Sequence, residues 1–338
     1  SGMSSGGRRG RGGRRWRSRN RHSSSKDKTW RRGATSRPSH GETRVDSKGR
    51  VAGEAGSASS QFVGTMQELE KSYFRLTRKP KPSEVRPLAV LQKTFELLRR
   101  KRAEGAGYEY LSDQYKSLRQ DLMIQDIKSP FTVLVYETFA RIAIEITDLS
   151  EFNQCQARLK ELYAEGRDRR EPEMVKNYHE FLSYRLLYLL VTSRSMEMME
   201  FLRSLAPKDR KDKQVRFAMD VMIAVTQGHY HAFNRLYNGA TPLVGSVLKI
   251  ILPRVRYRTL AKGIKAFRPM RTTKIEMWMR ILNFLKQDEC AAYLAECGVA
   301  LSKDHKEVLL NQTKNVKRPK ELAQANKHNG GGVVHGLF

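Results

Sequence analysis

The chain is predicted to be all-α: a TPR/HEAT-like helical repeat ending in a winged helix with a small β-wing. Three observations predict this. From about Met66 to residue 300 the apolar residues recur at the i, i+3, i+4 and i+7 spacing of a helix face. The helical windows come in pairs separated by short polar turns, at a repeat length of roughly 35 to 45 residues, the range of tetratricopeptide-like and HEAT-like hairpins. After residue 298 two short apolar runs flank a polar turn, so helices followed by a hairpin give the element order of a winged helix. An irregular helical domain is the plainer alternative, since no tight sequence repeat is present.

Residues 1–60 abound in Gly, Ser and Arg and hold almost no aliphatic side chains, so they are expected to be a disordered basic tail. An N-terminal helical cap is expected over 61–130. Met66, Leu69, Tyr73 and Leu76 stand at i, i+3, i+7 and i+10 and predict a helix stopped by Pro80 and Pro82. Leu88, Leu91, Phe95 and Leu98 repeat that spacing after Pro87, and Leu111, Tyr115, Leu118 and Leu122 form a third stripe closed by Ser129-Pro130. Helical repeats follow over 131–242. Helices 131–146 and 151–163 flank Thr147-Asp148, helices 178–191 and 196–205 end at Ala206-Pro207, and helices 215–225 and 230–237 flank Gln227-Gly228. The winged helix is expected over 243–312, with helices 243–252 (ended by Pro253), 254–267 (ended by Pro269), 272–285 and 289–296. Val299-Ala300-Leu301 and Val308-Leu309-Leu310 form its hairpin about Ser302-Lys303-Asp304-His305, and residues 313–338 are expected to fray as a flexible tail.

Of the 338 residues 39% are hydrophobic, enough for the core of one or two domains. No run approaches the roughly 18 apolar residues of a membrane span. Cys155, Cys290 and Cys297 make neither a disulfide framework nor a metal knuckle, which suits a reducing compartment. Lys and Arg number 64 against 35 Asp and Glu, a net charge of +29. Residues 1–60 carry +12 of it and residues 249–320 carry +11, while 61–248 is close to balance. An excess this large calls for an anionic partner: nucleic acid, an acidic protein or an anionic membrane surface.

Enzymatic signatures are missing: there is no phosphate loop, dinucleotide fingerprint, zinc-protease pair or nucleophile elbow, so neither catalysis nor a cofactor or metal is expected. His229 and His231 flank Tyr230 in a predicted turn, and His179 has no third ligand at useful spacing. In 254–267, Tyr257, Leu260, Ile264 and Phe267 fall on one helical face, and Arg254, Arg258, Lys262 and Lys265 fall on another. A charged face is ordinarily just solvated. Here no carboxylate lies nearby to pair at i, i+4, and Lys249, Arg256, Arg268, Arg271 and Lys274 extend the set, which favours phosphate binding. In the tail, Arg11, Arg14, Arg15, Trp16 and Arg17 combine bidentate phosphate donors with a stacking indole; an import signal or solubilising tail is the alternative.

One stretch is specific enough to carry a resemblance. Leu118-Arg119-Gln120-Asp121-Leu122, Gln125, Val135-Tyr136-Glu137, Ala140-Arg141 and Glu151-Phe152-Asn153-Gln154-Cys155-Gln156 with Leu162-Tyr163 resemble the signature of the Sac-three/GANP family. The likeness extends from Leu69-Glu70-Lys71-Ser72-Tyr73 to Phe267-Arg268-Pro269 and is closest to the shorter branch of Thp-three and leukocyte-receptor-cluster member eight. The resemblance implies a PCI domain and a nuclear, non-enzymatic scaffold in transcription elongation, splicing or mRNA export. It implies pairing through the winged helix with a second, signalosome-subunit-like PCI-domain protein, itself supported by a small acidic DSS/Sem-type protein. Hairpin residues Val299, Leu301, Val308 and Leu310 would meet that partner, and RNA or other nucleic acid would meet the basic surface. Arg119, Asp121, Glu137 and Arg141 are expected to pair with one another across helices, and Asn153 and Gln154 to satisfy backbone groups at a helix start. The rival is a pure protein-interaction subunit of a proteasome-lid or signalosome-like assembly.

Overall fold

The computed structural model describes residues 62–319 and Leu322. A single 3₁₀ turn at Pro82–Glu84 precedes the helices. These are α1 (Leu88–Ala103), α2 (Tyr108–Ile124), α3 (Pro130–Ile146), α4 (Leu149–Asp168), α5 (Pro172–Val175), α6 (Tyr178–Val191), α7 (Ser195–Ser204), α8 (Pro207–Lys211), α9 (Lys213–Gln227), α10 (Tyr230–Asn238) and α11 (Pro242–Ala266). Strand β1 (Thr272–Lys274), α12 (Ile275–Leu282), α13 (Gln287–Glu296) and strand β2 (Glu307–Leu309) complete the described elements. None of these helices is long and apolar enough to cross a membrane.

The punctuation is local chemistry. Ser129 Oγ accepts from the Thr132 amide and Pro130 opens α3, while Asp148 accepts from the Ser150 and Glu151 amides to start α4. Asp148 therefore does the capping expected of Asn153 and Gln154, which sit inside α4; Asn153 accepts instead from the Gln156 side chain. Asp212 caps α9 in the same way.

Two cores result. The larger takes Phe95, Tyr115, Leu118, Phe139, Phe152, Leu187 and Phe233 from the helical repeats, and the smaller gathers Leu260, Ile264, Trp278, Leu294 and Val308 in the winged helix. Helix α3 packs on α4, α6 on α9 and α9 on α10, with α11 lying along α3 and α6. The signature charges are ion-paired, with Arg119, Asp121 and Glu137 buried and Arg141 half-buried, though mostly not with one another. Arg119 binds Glu151 at 2.8 Å beneath the Phe139 ring, Asp121 binds Arg86 at 2.7 Å, and Arg141 bridges Glu180 at 2.7 Å and Glu137 at 3.4 Å.

Four expectations are corrected. Residues 66–76 form an irregular segment with a bend at Leu69 and are not helical: the Lys71 and Tyr73 amides donate to Gln114 and Asp113 of α2, and the Leu69 carbonyl accepts from Arg86 and Thr94. Side chains of α1 and α2 thus satisfy a backbone that would otherwise coil, and Leu69, Tyr73 and Leu76 remain exposed. Pro253 does not end a helix; α11 runs unbroken through it. Ile251 and Leu252 are held in the larger core and Leu260 and Ile264 in the smaller, so burial at both ends outweighs the roughly 3 kcal/mol that an interior proline costs. The boundary expected at residue 243 accordingly falls within α11. The helix expected over 272–285 begins only at Ile275, because Thr272, Thr273 and Lys274 pair antiparallel with Leu309, Val308 and Glu307. That pairing suits β-branched threonines. Finally, residues after Gln312 do not fray at once: Thr313 is buried and accepts from the Ala300 amide, and the Lys317 amide donates to the Cys297 carbonyl.

Candidate nucleic-acid interface

The winged helix is built around α11 and the wing. Leu260 and Ile264 point from the second half of α11 into the small core, which leaves Lys262 and Lys265 exposed on the other side. The chain then turns at Phe267 and enters β1 through exposed Arg268 and Arg271, ending at exposed Lys274. Thr273 Oγ1 accepts from the Trp278 indole at 2.9 Å, which pins β1 to α12. The wing adds an antiparallel bridge from Leu301 to Val308. From Lys249 to Lys274 the sequence holds nine cations and no carboxylate.

These nine do not form one surface. Arg254 turns inward and donates to Ser193 Oγ at 2.6 Å and to the Leu190 carbonyl at 3.0 Å, closing the end of α6. Burial, reinforced by the charge of Arg258, brings it down to about 10. Arg256 donates to the carbonyls of Leu282 and Asn283 at 2.8 and 2.7 Å and stacks 3.7 Å from the Phe284 ring, holding the end of α12. Both guanidiniums therefore serve the fold. Lys249 is exposed, but lies 13 residues before Lys262, about 20 Å along the helix, beside the larger core. Arg258 is half-buried and lines a shallow hollow with Lys262, Gly228 and Tyr230.

What remains together is the series Lys262, Lys265, Arg268, Arg271 and Lys274. Sequence reasoning missed two additions to it. Arg268 donates to the Lys314 carbonyl at 3.2 Å, so the segment holding exposed Lys314 and Lys317 lies against the end of α11. The available signal was Val316, an aliphatic residue among the polar ones, which packs on the small core. Helix α13 differs in sign: exposed Asp288 and Glu289 occupy its first turn and exposed Glu296 its last.

The expected partner contacts are largely internal. Val299, Val308 and Leu310 fill the small core, where they offer a partner no surface, and Leu301 is half-buried. The wing is too small to bury its helices without them. The most exposed large apolar side chain among the described residues is instead Leu285, 93% exposed in the turn between α12 and α13. Arg11, Arg14, Arg15, Trp16 and Arg17 lie outside the described residues.

Compared with known proteins, residues 58–303 match the model of the SAC3/GANP family. A THP3 homolog of Schizosaccharomyces pombe is 39% identical over 253 residues, which cover 75% of this chain and 62% of that protein. The leukocyte receptor cluster member 8 homolog of Xenopus laevis is 38% identical over 235 residues, 70% of this chain and 28% of that protein. Protein THP3 of Saccharomyces cerevisiae is 40% identical over 181 residues, 52% of this chain and 37% of that protein. The chain thus spans less than two thirds of the length of each. The cations from Lys262 to Lys274 fall inside the matched region, whereas β2, Lys314 and Lys317 lie beyond it.

Proposed function

Since the chain belongs to the SAC3/GANP family, in the branch of THP3 and leukocyte receptor cluster member 8 relatives, we propose that it is a non-enzymatic nuclear scaffold of mRNA biogenesis that binds RNA along its winged helix. The observation that carries this reading is the uninterrupted exposed series Lys262, Lys265, Arg268, Arg271 and Lys274. Without carboxylates among them, these cations are matched only by an external polyanion. They suit phosphates better than base edges, because they are spread along a helix end and a strand edge instead of converging on one plane. Acidic α13 would repel a duplex backbone, so the recognition-helix docking of a helix-turn-helix protein does not apply. Arg11 to Arg17 and Trp16 add a second, sequence-tolerant contact.

The scaffold pairs with a second PCI-domain protein. Buried Val299, Val308 and Leu310 support the wing from within, and exposed Leu285 with the wing edge at Leu301 is the surface offered to that protein. The test is RNA affinity of the chain, alone and with a PCI partner, for wild type and a K262E/K265E/R271E variant. The expected result is a loss of about tenfold or more near physiological salt, with the slope of log K against log salt reduced by about two for single-stranded RNA. An unchanged affinity, or no binding by wild type in either state, overturns the reading in favour of a purely protein-binding subunit.

A further inference from the structure

A second surface, on the α2 side of the helical repeats, carries its own signature. The irregular segment over 70–81, a strap bent at Thr77 and Arg78, is held on α2 by the Lys71 amide to Gln114 at 3.0 Å, the Tyr73 amide to Asp113 at 3.0 Å, and Gln120 to the Phe74 carbonyl at 3.1 Å. Between this strap and α2 lies a cleft of about 330 Å³ walled by Phe74, Leu76, Pro80, Val85 and Ile124. Phe74 is 73% exposed and Leu76 44%, so two large apolar side chains stand open at the mouth. Among the described residues the main chain of Arg75, Leu76 and Thr77 makes no hydrogen bond, leaving its donors and acceptors open up to the bend at Thr77 and Arg78.

The charge there is uneven. From Lys71 to Val85 there are five cations and one anion. Lys71 is matched by Asp121 at 2.7 Å and Arg78 by Glu84, whose carboxylate also accepts from the Lys81 amide. Arg75 and Lys79 have no ion-pair partner among the described residues, and the charge of Lys81 reaches Glu84 only at longer range. A largely apolar cleft lined by unpaired Arg75, with Lys79 and Lys81 exposed further along the same segment and open backbone groups at its mouth, fits one ligand chemistry.

We infer that this cleft docks an extended acidic peptide of a partner protein, seating an aliphatic side chain between Leu76 and Ile124 and its carboxylates on Arg75, Lys79 and Lys81. Main-chain hydrogen bonding to the open groups of Arg75 and Leu76 supplies register, and the cleft supplies specificity. Nucleic acid is disfavoured on the same observations. A base needs a hydrogen-bonding edge beside its stacking face, whereas Phe74 is the one aromatic side chain among the lining residues and the Gln120 amide already donates to the strap. The site shares no residue with the winged-helix surface, so each can fail without the other.

The experiment uses the full chain and a fluorescent peptide alternating Asp or Glu with Leu or Ile. Its controls are the same peptide with Ser at every Leu and Ile, and an oligouridine. Wild type is expected to bind the acidic aliphatic peptide about tenfold tighter than the Ser control. R75E/K79E/K81E and F74A/L76S are each expected to weaken the peptide about tenfold, and K262E/K265E to leave it unchanged. All these changes are at exposed positions, and thermal unfolding checks that each variant is folded. Equal binding of the Ser control, an undiminished affinity in the strap variants, or a loss confined to oligouridine overturns the inference.

Discussion

At the scale of single residues, the buried charges set the largest energies. Asp121 is fully buried and holds both Arg86, also fully buried, and Lys71 of the strap. Replacing Asp121 with Asn leaves the Arg86 charge uncompensated, so urea unfolding should show a loss of about 3–5 kcal/mol. A milder loss would mean that Ser117 and the Leu69 carbonyl, which also accept from Arg86, suffice. The thiols behave in the opposite sense. Burial pushes Cys155 up to about 11, Cys290 up to about 12 and Cys297 up to about 11. A raised value means less thiolate than an unfolded cysteine, which titrates near about 8.5, carries at the same pH. At pH 8 the native chain should therefore be nearly silent to a thiolate-selective reagent and should release all three thiols on denaturation. As pH climbs between the unfolded and folded values the unfolded state alone ionises, so these cysteines cost stability in alkali.

At the scale of elements, α11 is the piece that joins the two cores. Pro253 removes a donor from its middle, orphaning the carbonyl of exposed Lys249, which faces the water side. Pro253→Ala restores that bond. Allowing for the looser unfolded chain, stability should rise by about 1–2 kcal/mol, read as a higher midpoint in urea with unchanged slope. Most helix windows were legible from periodicity, and the stripes Leu91, Phe95, Leu98 and Leu111, Tyr115, Leu118, Leu122 are buried as their spacing requires. Met66 to Leu76 shows why periodicity alone can mislead: the spacing is helical, but Gln114, Asp113 and Gln120 supply hydrogen bonds from about 40 residues away and hold the segment out of a helix. Nothing within the segment announces those partners.

At the scale of the whole molecule, the charge of +29 divides into separate duties. Of the cations expected to meet nucleic acid, Arg254 and Arg256 tie α11 to α6 and α12, and the strap gathers a further cationic rim. If phosphates run along the α11–β1 edge and not across α13, neutralising Asp288 and Glu289 to Asn and Gln should leave RNA affinity level or slightly raise it. A marked fall in filter or anisotropy binding would place the RNA on α13 instead.

The helical class, the alternation of helices and turns, the wing and the family signature were all legible along the chain, because each rests on local spacing or on residue identities read in order. It took the packed molecule to show that α11 passes through Pro253, that Arg254 and Arg256 point inward while Lys262 and Lys265 do not, that Val299, Val308 and Leu310 are core, and that residues 66–76 lie unwound over α2. The physical reason is reach. Periodicity states which face of a segment is buried, but a long side chain or an open backbone is satisfied by whatever distant group the fold brings within about 3 Å of it.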